Sequence, residues 1–353
     1  MSTSVLRIFF LLFVLFFGSR GRADDVDDYL ARQMTEHQIP GVSLGVMRAN
    51  KSIKEKGYGS ANLEWGVPVT TETVFEIGSL TKQFTAAGIL LLADEGKLGL
   101  DDSLTNYFEV PLAWKGITIR HLLTHTSGIK TYNNLPGFEA SRHLTPKEFI
   151  DKLAAFPPAF APGETFAYCN SGYNLLGYII EKVSGQSYWD FLAARIFNPL
   201  ALKHTQARTS AAIIPHRAAG YELENQKLGN RDPELTDIFS AGALVSTAPD
   251  LMKWNAALNS DRLLKSSSRE QMWTPFTLTG GKPTGYGFGW RVDDFKGRKN
   301  IGHSGSTSGF SASLQRFPEE KITVIVLCNS GEQNIATALA RGIAEFYFPS
   351  AGR

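Results

Sequence analysis

A serine placed three residues ahead of a lysine is the first spacing in the chain that could do chemistry: Ser79-Leu80-Thr81-Lys82. A serine hydroxyl is a weak nucleophile until a neighbouring base takes its proton. Residues three apart on a helix share a face, so Lys82 can stand beside Ser79. Gly78 permits close backbone approach, and free N–H groups at a helix N-terminus can hold a developing oxyanion. The helix dipole favours negative charge there as well. Read alone, the same four residues also fit a capping serine and a solvated lysine, and such matches are common by chance. Context separates the two readings. The following segment, FTAAGILLLA, is apolar on nearly every face and belongs in an interior. A lysine at the mouth of such a helix needs a task or a partner.

Two further motifs carry polar groups. In Tyr168-Cys169-Asn170, an extended backbone points residues 168 and 170 the same way, so phenol and amide can face one cleft. A lysine ammonium nearby would lower the phenol pKa and make Tyr168 a proton shuttle. Asn170 can hold a lysine or a substrate amide. In isolation the triplet fits equally an aromatic core residue and an N-cap ahead of a helix over 173–183. In His303-Ser304-Gly305-Ser306, Gly305 would admit a substrate backbone and the Ser306 N–H would serve as a second oxyanion donor. His303 would supply a proton or bind a carboxylate, the latter strongly only when protonated. The plainer alternative is a Gly/Ser loop with a surface histidine. His121 and His125 have the i, i+4 spacing of metal-binding helices, but Leu122 stands where His-Glu-x-x-His needs its glutamate. They read as structural histidines held by hydrogen bonds, and no metal is expected.

The elements that must position these groups follow from patterning. Val26–Glu36 reads as a helix, and 41–47 with 52–58 as two strands joined at Ala49-Asn50. A buried helix spans about Leu80 to Glu95 and is closed by Gly96. The stretch 100–260 reads as mostly helical, with Leu175, Leu176, Ile179, Ile180 and Val183 at helical spacing and a further helix over 249–258. Tyr286 to Val292 alternates as a strand. Strands at 310–317 and 322–327 flank a Pro318-Glu319-Glu320 turn, and a helix runs from about Asn334 to Tyr347. The expected class is α+β: one antiparallel sheet flanked by terminal helices, plus an all-helical lobe. The lobes are 24–99 with 260–353, and 100–259, and the site is expected between them.

The first 23 residues stand apart. Ile8–Phe17 is an unbroken apolar run between Arg7 and a small-residue segment ending at Ala23, which is the pattern of a cleaved signal peptide. Ten apolar residues make a helix of roughly 15 Å, about half a bilayer core, so stable membrane insertion is not expected. The leader holds Arg7, Arg20 and Arg22 and no acid, so its removal takes the formal charge from +2 to −1. No basic tract remains for nucleic acid. A periplasmic or secreted location follows. Cys169 and Cys328 lack metal-type spacing and read as free, buried thiols.

Taken together, Ser-x-x-Lys, Tyr-x-Asn and His-x-Gly in this order resemble the serine β-lactamase and penicillin-binding protein family. The likeness is greatest to its branch of class C β-lactamases, D-alanyl-D-alanine carboxypeptidases and esterases. The segments FEIGSLTKQFTA, HLLTHTSGI, PGETFAYCNSGYNLLGYIIE and AGALVSTAPDLMKW agree with it, and the likeness covers essentially all of residues 24–353. It implies a β-lactamase-like fold, acylation of Ser79 with Lys82 and Tyr168 moving protons, and substrate contacts at Asn170, His303, Ser304, Gly305 and Ser306. It implies hydrolysis of a small-molecule or peptide substrate such as a D-alanyl peptide or small ester, and no cofactor; no extra C-terminal domain is expected after the last helix. The chain departs from the family at His303, where β-lactamases carry lysine, and at Cys169, which is larger than the usual residue. Two other readings stay open: a class C-like β-lactamase and a non-catalytic penicillin-binding sensor. Oligomeric state is not legible.

Overall fold

The computed structural model describes residues 22–138, 142–209, 211–232 and 234–349 of the chain. The expected leader lies outside the described residues except for Arg22 and Ala23, which begin the first helix. No helix among the described residues is long and apolar enough to cross a membrane.

Seven strands form the central sheet: β1 (Gly41–Arg48), β2 (Lys51–Asn62), β3 (Val67–Pro68), β4 (Arg291–Phe295), β5 (Arg298–Thr307), β6 (Phe310–Phe317) and β7 (Ile322–Cys328). Their order is β3-β2-β1-β7-β6-β5-β4, with antiparallel neighbours throughout. The N-terminal strand therefore lies beside the C-terminal one, and the register Leu44↔Val326 closes the sheet across the whole sequence. The β1–β2 turn works because Ala49 and Asn50 both take positive φ, 48° and 64°, whose twist suits a tight antiparallel connection.

Five helices carry the rest of the argument: α1 (Arg22–Glu36), α2 (Thr81–Asp94), α3 (Asn170–Ser184), α4 (Ala248–Leu258) and α5 (Ile335–Glu345). Alternation on the strands assigns the two faces of the sheet. Val42, Leu44, Val46, Val324 and Val326 pack with Val26 and Leu30 of α1 and with Leu339 and Ile343 of α5. Ala312, Leu314, Ile325 and Leu327 point the other way, into the larger core with α2 and α4. Helix α2 is buried from Thr81 through Leu92, as its all-round apolar sequence requires. It ends at Gly96, whose φ of 70° is left-handed.

Three local expectations are corrected. Tyr286–Trp290 alternates like a strand but is irregular; the strand starts at Arg291, because Gly285 and Gly289 take φ of 70° and 79° and break the ladder. Helix α3 begins at Asn170 rather than 173, with Cys169 as its N-cap. The stretch 100–259 also holds a hairpin, Gly220–Glu224 with Lys227–Arg231. Its turn at Asn225-Gln226 has φ of 48° and 63°. Cys169 and Cys328 are free and buried.

Candidate active site

Ser79 lies in a single 3₁₀ turn, Gly78–Leu80, that leads directly into α2. The turn is pressed against β5. A methyl group on Gly78, where φ is 49°, would come within 2.6 Å of the Ser306 nitrogen. One on Gly305 would come within 1.9 Å of the Ile77 oxygen and 3.0 Å of the Ser79 nitrogen. Only glycine permits this approach, which sets the backbone nitrogens of residues 79 and 306 side by side. A buried strut fixes the two segments: Glu76 accepts from Thr307 Oγ1 at 2.7 Å and from Arg208 Nε at 3.1 Å. Burial pushes the Glu76 carboxyl up; its bonds to Thr307 and Arg208 work against that.

Lys82 is fully buried. Its Nζ lies 3.0 Å from Ser79 Oγ and donates to Asn170 Oδ1 at 2.8 Å and to the Ala241 carbonyl at 2.7 Å. Desolvation holds the amine well below the usual lysine range. A neutral amine has two N–H groups and one lone pair. The amide and the carbonyl take the two hydrogens, which leaves the lone pair for the Ser79 hydroxyl. Asn170 is held in turn by its Nδ2, which donates to Asn133 Oδ1 at 2.7 Å.

The Tyr168 ring stands over the amine, 4.8 Å from Nζ to the ring centroid. Its hydroxyl is buried and makes no hydrogen bond of normal geometry with a described residue, although Ser79 is near enough to favour its ionised form. The expected direction of its pKa is corrected: burial outweighs Ser79 and Arg291 and raises the phenol above its ordinary value. The lysine that was to lower it is itself driven toward the neutral form.

His303 joins the same cluster, with its ring 6.0 Å from that of Tyr168. Nδ1 lies 2.6 Å from the Ser304 carbonyl, so it carries the hydrogen, and Nε2 accepts from the Tyr286 hydroxyl at 2.8 Å. Burial, then the charge of Lys82, lowers its pKa to about 3. The expectation that His303 supplies a proton or binds a carboxylate as a cation is corrected, because both ring nitrogens are engaged and the ring stays neutral. Ser304 lines a polar cavity on the α5 side of the sheet, whereas Ser306 is exposed beside Ser79.

Two more residues outside the three motifs bear on the site. His125, buried and left-handed at φ 58°, holds the chain on both sides of Tyr168. Its carbonyl accepts from Ala167 N–H and its Nδ1 from Cys169 N–H, each at 3.0 Å. Its ring packs 4.2 Å from that of Tyr168. Burial holds it neutral, as an acceptor at Nδ1 must be. His121 instead closes a capping box with Thr118. His125→Asn keeps a side chain that tolerates positive φ but releases the clamp. Its kcat is expected to fall about tenfold with KM nearly unchanged, because a misplaced group costs rate before binding. Steady-state kinetics beside a melting curve check this. The second residue is Arg291, an exposed guanidinium 5.8 Å from the ring centroids of both Tyr168 and Tyr286, and in no ion pair with a described residue. In sequence it was one of 36 basic residues with nothing local to mark it.

A serine hydroxyl beside a buried amine and a phenol, with two backbone nitrogens close by, is an arrangement suited to acyl transfer. The family model described as Beta-lactamase matches residues 26–347, and the chain belongs to that family. It is a serine hydrolase of the β-lactamase and penicillin-binding protein type, with the fold of that family. It is 33% identical over 319 residues to penicillin-binding protein 4* of Bacillus subtilis, covering 84% of this chain and 69% of that protein. It is 30% identical over 320 residues to Protein flp of Staphylococcus aureus, covering 88% of this chain but only 64% of that longer protein. Among solved structures, the D-amino acid amidase from Ochrobactrum anthropi SV3 superposes with a TM-score of 0.78 at 25% identity, over 92% of this chain and 96% of that one.

Proposed function

We propose that the protein is an exported hydrolase that acylates Ser79 from an amide or ester, such as a D-alanyl peptide or a small ester, and releases the acid to water. The observation that carries this reading is the position of Lys82, a fully buried amine whose Nζ lies 3.0 Å from Ser79 Oγ, 2.8 Å from Asn170 Oδ1 and 2.7 Å from the Ala241 carbonyl. Lys82 takes the serine proton as the oxygen attacks the carbonyl carbon. The Ser79 and Ser306 N–H groups receive the oxyanion. Tyr168, held as a neutral phenol, gives its proton to the leaving nitrogen or oxygen and is replenished from the Lys82 ammonium. Asn170 steadies Lys82 and offers its amide to substrate, while His303, through Tyr286 and the Ser304 carbonyl, shapes the wall. The expectation that Gly305 admits a substrate backbone is corrected: the Ile77 carbonyl occupies that space, so Gly305 seats the Ser79 turn against β5. Residues 1–23 are the cleaved leader of a chain whose α/β lobe is 24–99 with 260–353 and whose helical lobe is 100–259. A penicillin-binding protein and an amidase among the similar proteins favour amides as the substrate class.

The test is a panel with the mature chain: a D-Ala-D-Ala peptide, a short-chain p-nitrophenyl ester and a chromogenic cephalosporin, each with Ser79→Ala as control. Peptide or ester turnover that the variant loses supports the proposal. Fast cephalosporin turnover would make the protein a β-lactamase, and a lasting adduct on Ser79 without turnover would make it a sensor. Because His303 is neutral, Arg291 is the exposed cation beside the cleft that can meet a substrate carboxylate. Arg291→Ala is expected to raise KM about tenfold for a substrate with a free carboxylate, with little change for an uncharged ester. Parallel kinetics on the two substrates decide this.

A further inference from the structure

We propose that the end of the sheet remote from Ser79 holds a second site, which binds a small oxyanion against Arg316. Arg316 lies on β6 opposite Ile301 of β5 and Thr323 of β7, at the far end of those strands from Ser306. It is only 6% exposed. Its guanidinium carbon sits 4.1 Å from the Trp273 ring and 5.5 Å from the Trp290 ring. One Nη2 hydrogen bond goes to Asn259 Oδ1, and no described carboxylate pairs with it. Of the two acids in the adjoining turn, Glu320 is engaged by Arg298 and Glu319 is exposed; neither forms an ion pair with Arg316. Ring faces attract a cation but supply no hydrogen-bond acceptor in the guanidinium plane.

Around Arg316 three buried donors stand unpaired. Arg316 Nη1, Trp273 Nε1 and Trp290 Nε1 are all buried without a partner. Buried donors are nearly always paired, and a buried charge with neither counterion nor full hydrogen bonding is costly. Beside Arg316 opens a cavity of about 280 Å³, walled by Ala49-Asn50, Asn259, Pro318 and Lys321. Lys321 is exposed and in no ion pair with a described residue. The Asn259 amide is spent on Asn50 Oδ1 at 2.7 Å and the Asn255 carbonyl at 3.1 Å, which leaves Asn50 Nδ2 as an unused donor. The lining thus offers two cations and an amide donor, with no acidic side chain. Water would fill the cavity but leave the Arg316 charge uncompensated. A phosphate, sulfate or carboxylate group supplies both the charge and an acceptor for Arg316 Nη1, the unpaired donor whose residue lines the cavity.

The mature protein is titrated with phosphate, sulfate, acetate and chloride at constant ionic strength, following the melting midpoint and tryptophan emission. At least one oxyanion is expected to raise the midpoint saturably, by about 3–6 °C at 100 times its Kd, and to shift the emission of Trp273 and Trp290. Which oxyanion saturates at lowest concentration identifies the preferred class. Lys321→Asn, at a turn position of φ 56° that asparagine tolerates, should fold and hydrolyse ester as before but require about tenfold more oxyanion. Arg316→Met, which keeps apolar bulk between the indoles, should lose the response; if it fails to fold, the Lys321→Asn titration decides alone. No saturable response in the unaltered protein, an equal response to chloride, or identical titrations with and without Lys321 would overturn the site.

Discussion

Ser79→Ala is expected to lower turnover of every substrate by about 10⁴-fold or more. Without Oγ there is no covalent intermediate, and only the paired N–H groups of residues 79 and 306 remain to polarise a bound carbonyl. Intact-mass measurement after exposure to substrate or penicillin should show no adduct in the variant and one in the unaltered protein. Because Ser79 and Lys82 act as a unit, the double variant Ser79→Ala/Lys82→Met should be hardly slower than Ser79→Ala alone. Multiplicative losses in the double variant would show that the two side chains act separately.

Lys82→Arg and Lys82→Met are each expected to cost about 10³-fold in kcat/KM, for opposite reasons. Arginine keeps hydrogen-bond donors for Asn170 and Ala241 but has no lone pair at any working pH. Methionine keeps volume and loses both the donors and the base. The pH profile carries the same assignment. Only the free amine accepts the Ser79 proton, so activity rises with pH through the Lys82 pKa. Burial has moved that pKa well below the ordinary lysine value, so the rising limb should lie well below pH 10. The linkage has a definite sign: below its unfolded pKa the lysine binds a proton more readily in the unfolded chain. Its burial therefore destabilises the fold at neutral pH, and less so as pH rises toward that value. Lys82→Met is accordingly expected to melt above the unaltered protein while being nearly inactive. A rising limb near pH 10, or an arginine variant with near-normal rate, would contradict the role assigned to Lys82.

Much of this site was legible before any coordinates. Spacing alone put Ser79 and Lys82 on one face, and the apolar run behind them required that Lys82 be buried. Apolar runs about a turn placed the strands of β6 and β7, and Gly78 was read as a point of close backbone approach, whereas Gly305 was read as admitting substrate and instead meets Ile77. The errors cluster where sequence-local reasoning has least hold. Tyr286–Trp290 has strand periodicity, yet two left-handed glycines bend it out of the ladder. Tyr168 was given the pKa direction of a phenol beside an ammonium, although the lysine's own burial removes most of that charge. His303 has a surface-loop sequence but lies under Tyr286 on the inner face of β5.

The sequence by itself determined the family, most of the strands and the nearness of Ser79 to Lys82, because these depend on residue type, order and short periodicities. Only the tertiary structure decided which groups are buried, that His125 grips the backbone around Tyr168, that Arg291 is exposed beside Tyr168, and that donors at Arg316 lack acceptors. The physical reason is range. Protonation and hydrogen-bond satisfaction follow from desolvation and from partners on distant segments, which only the folded chain brings together.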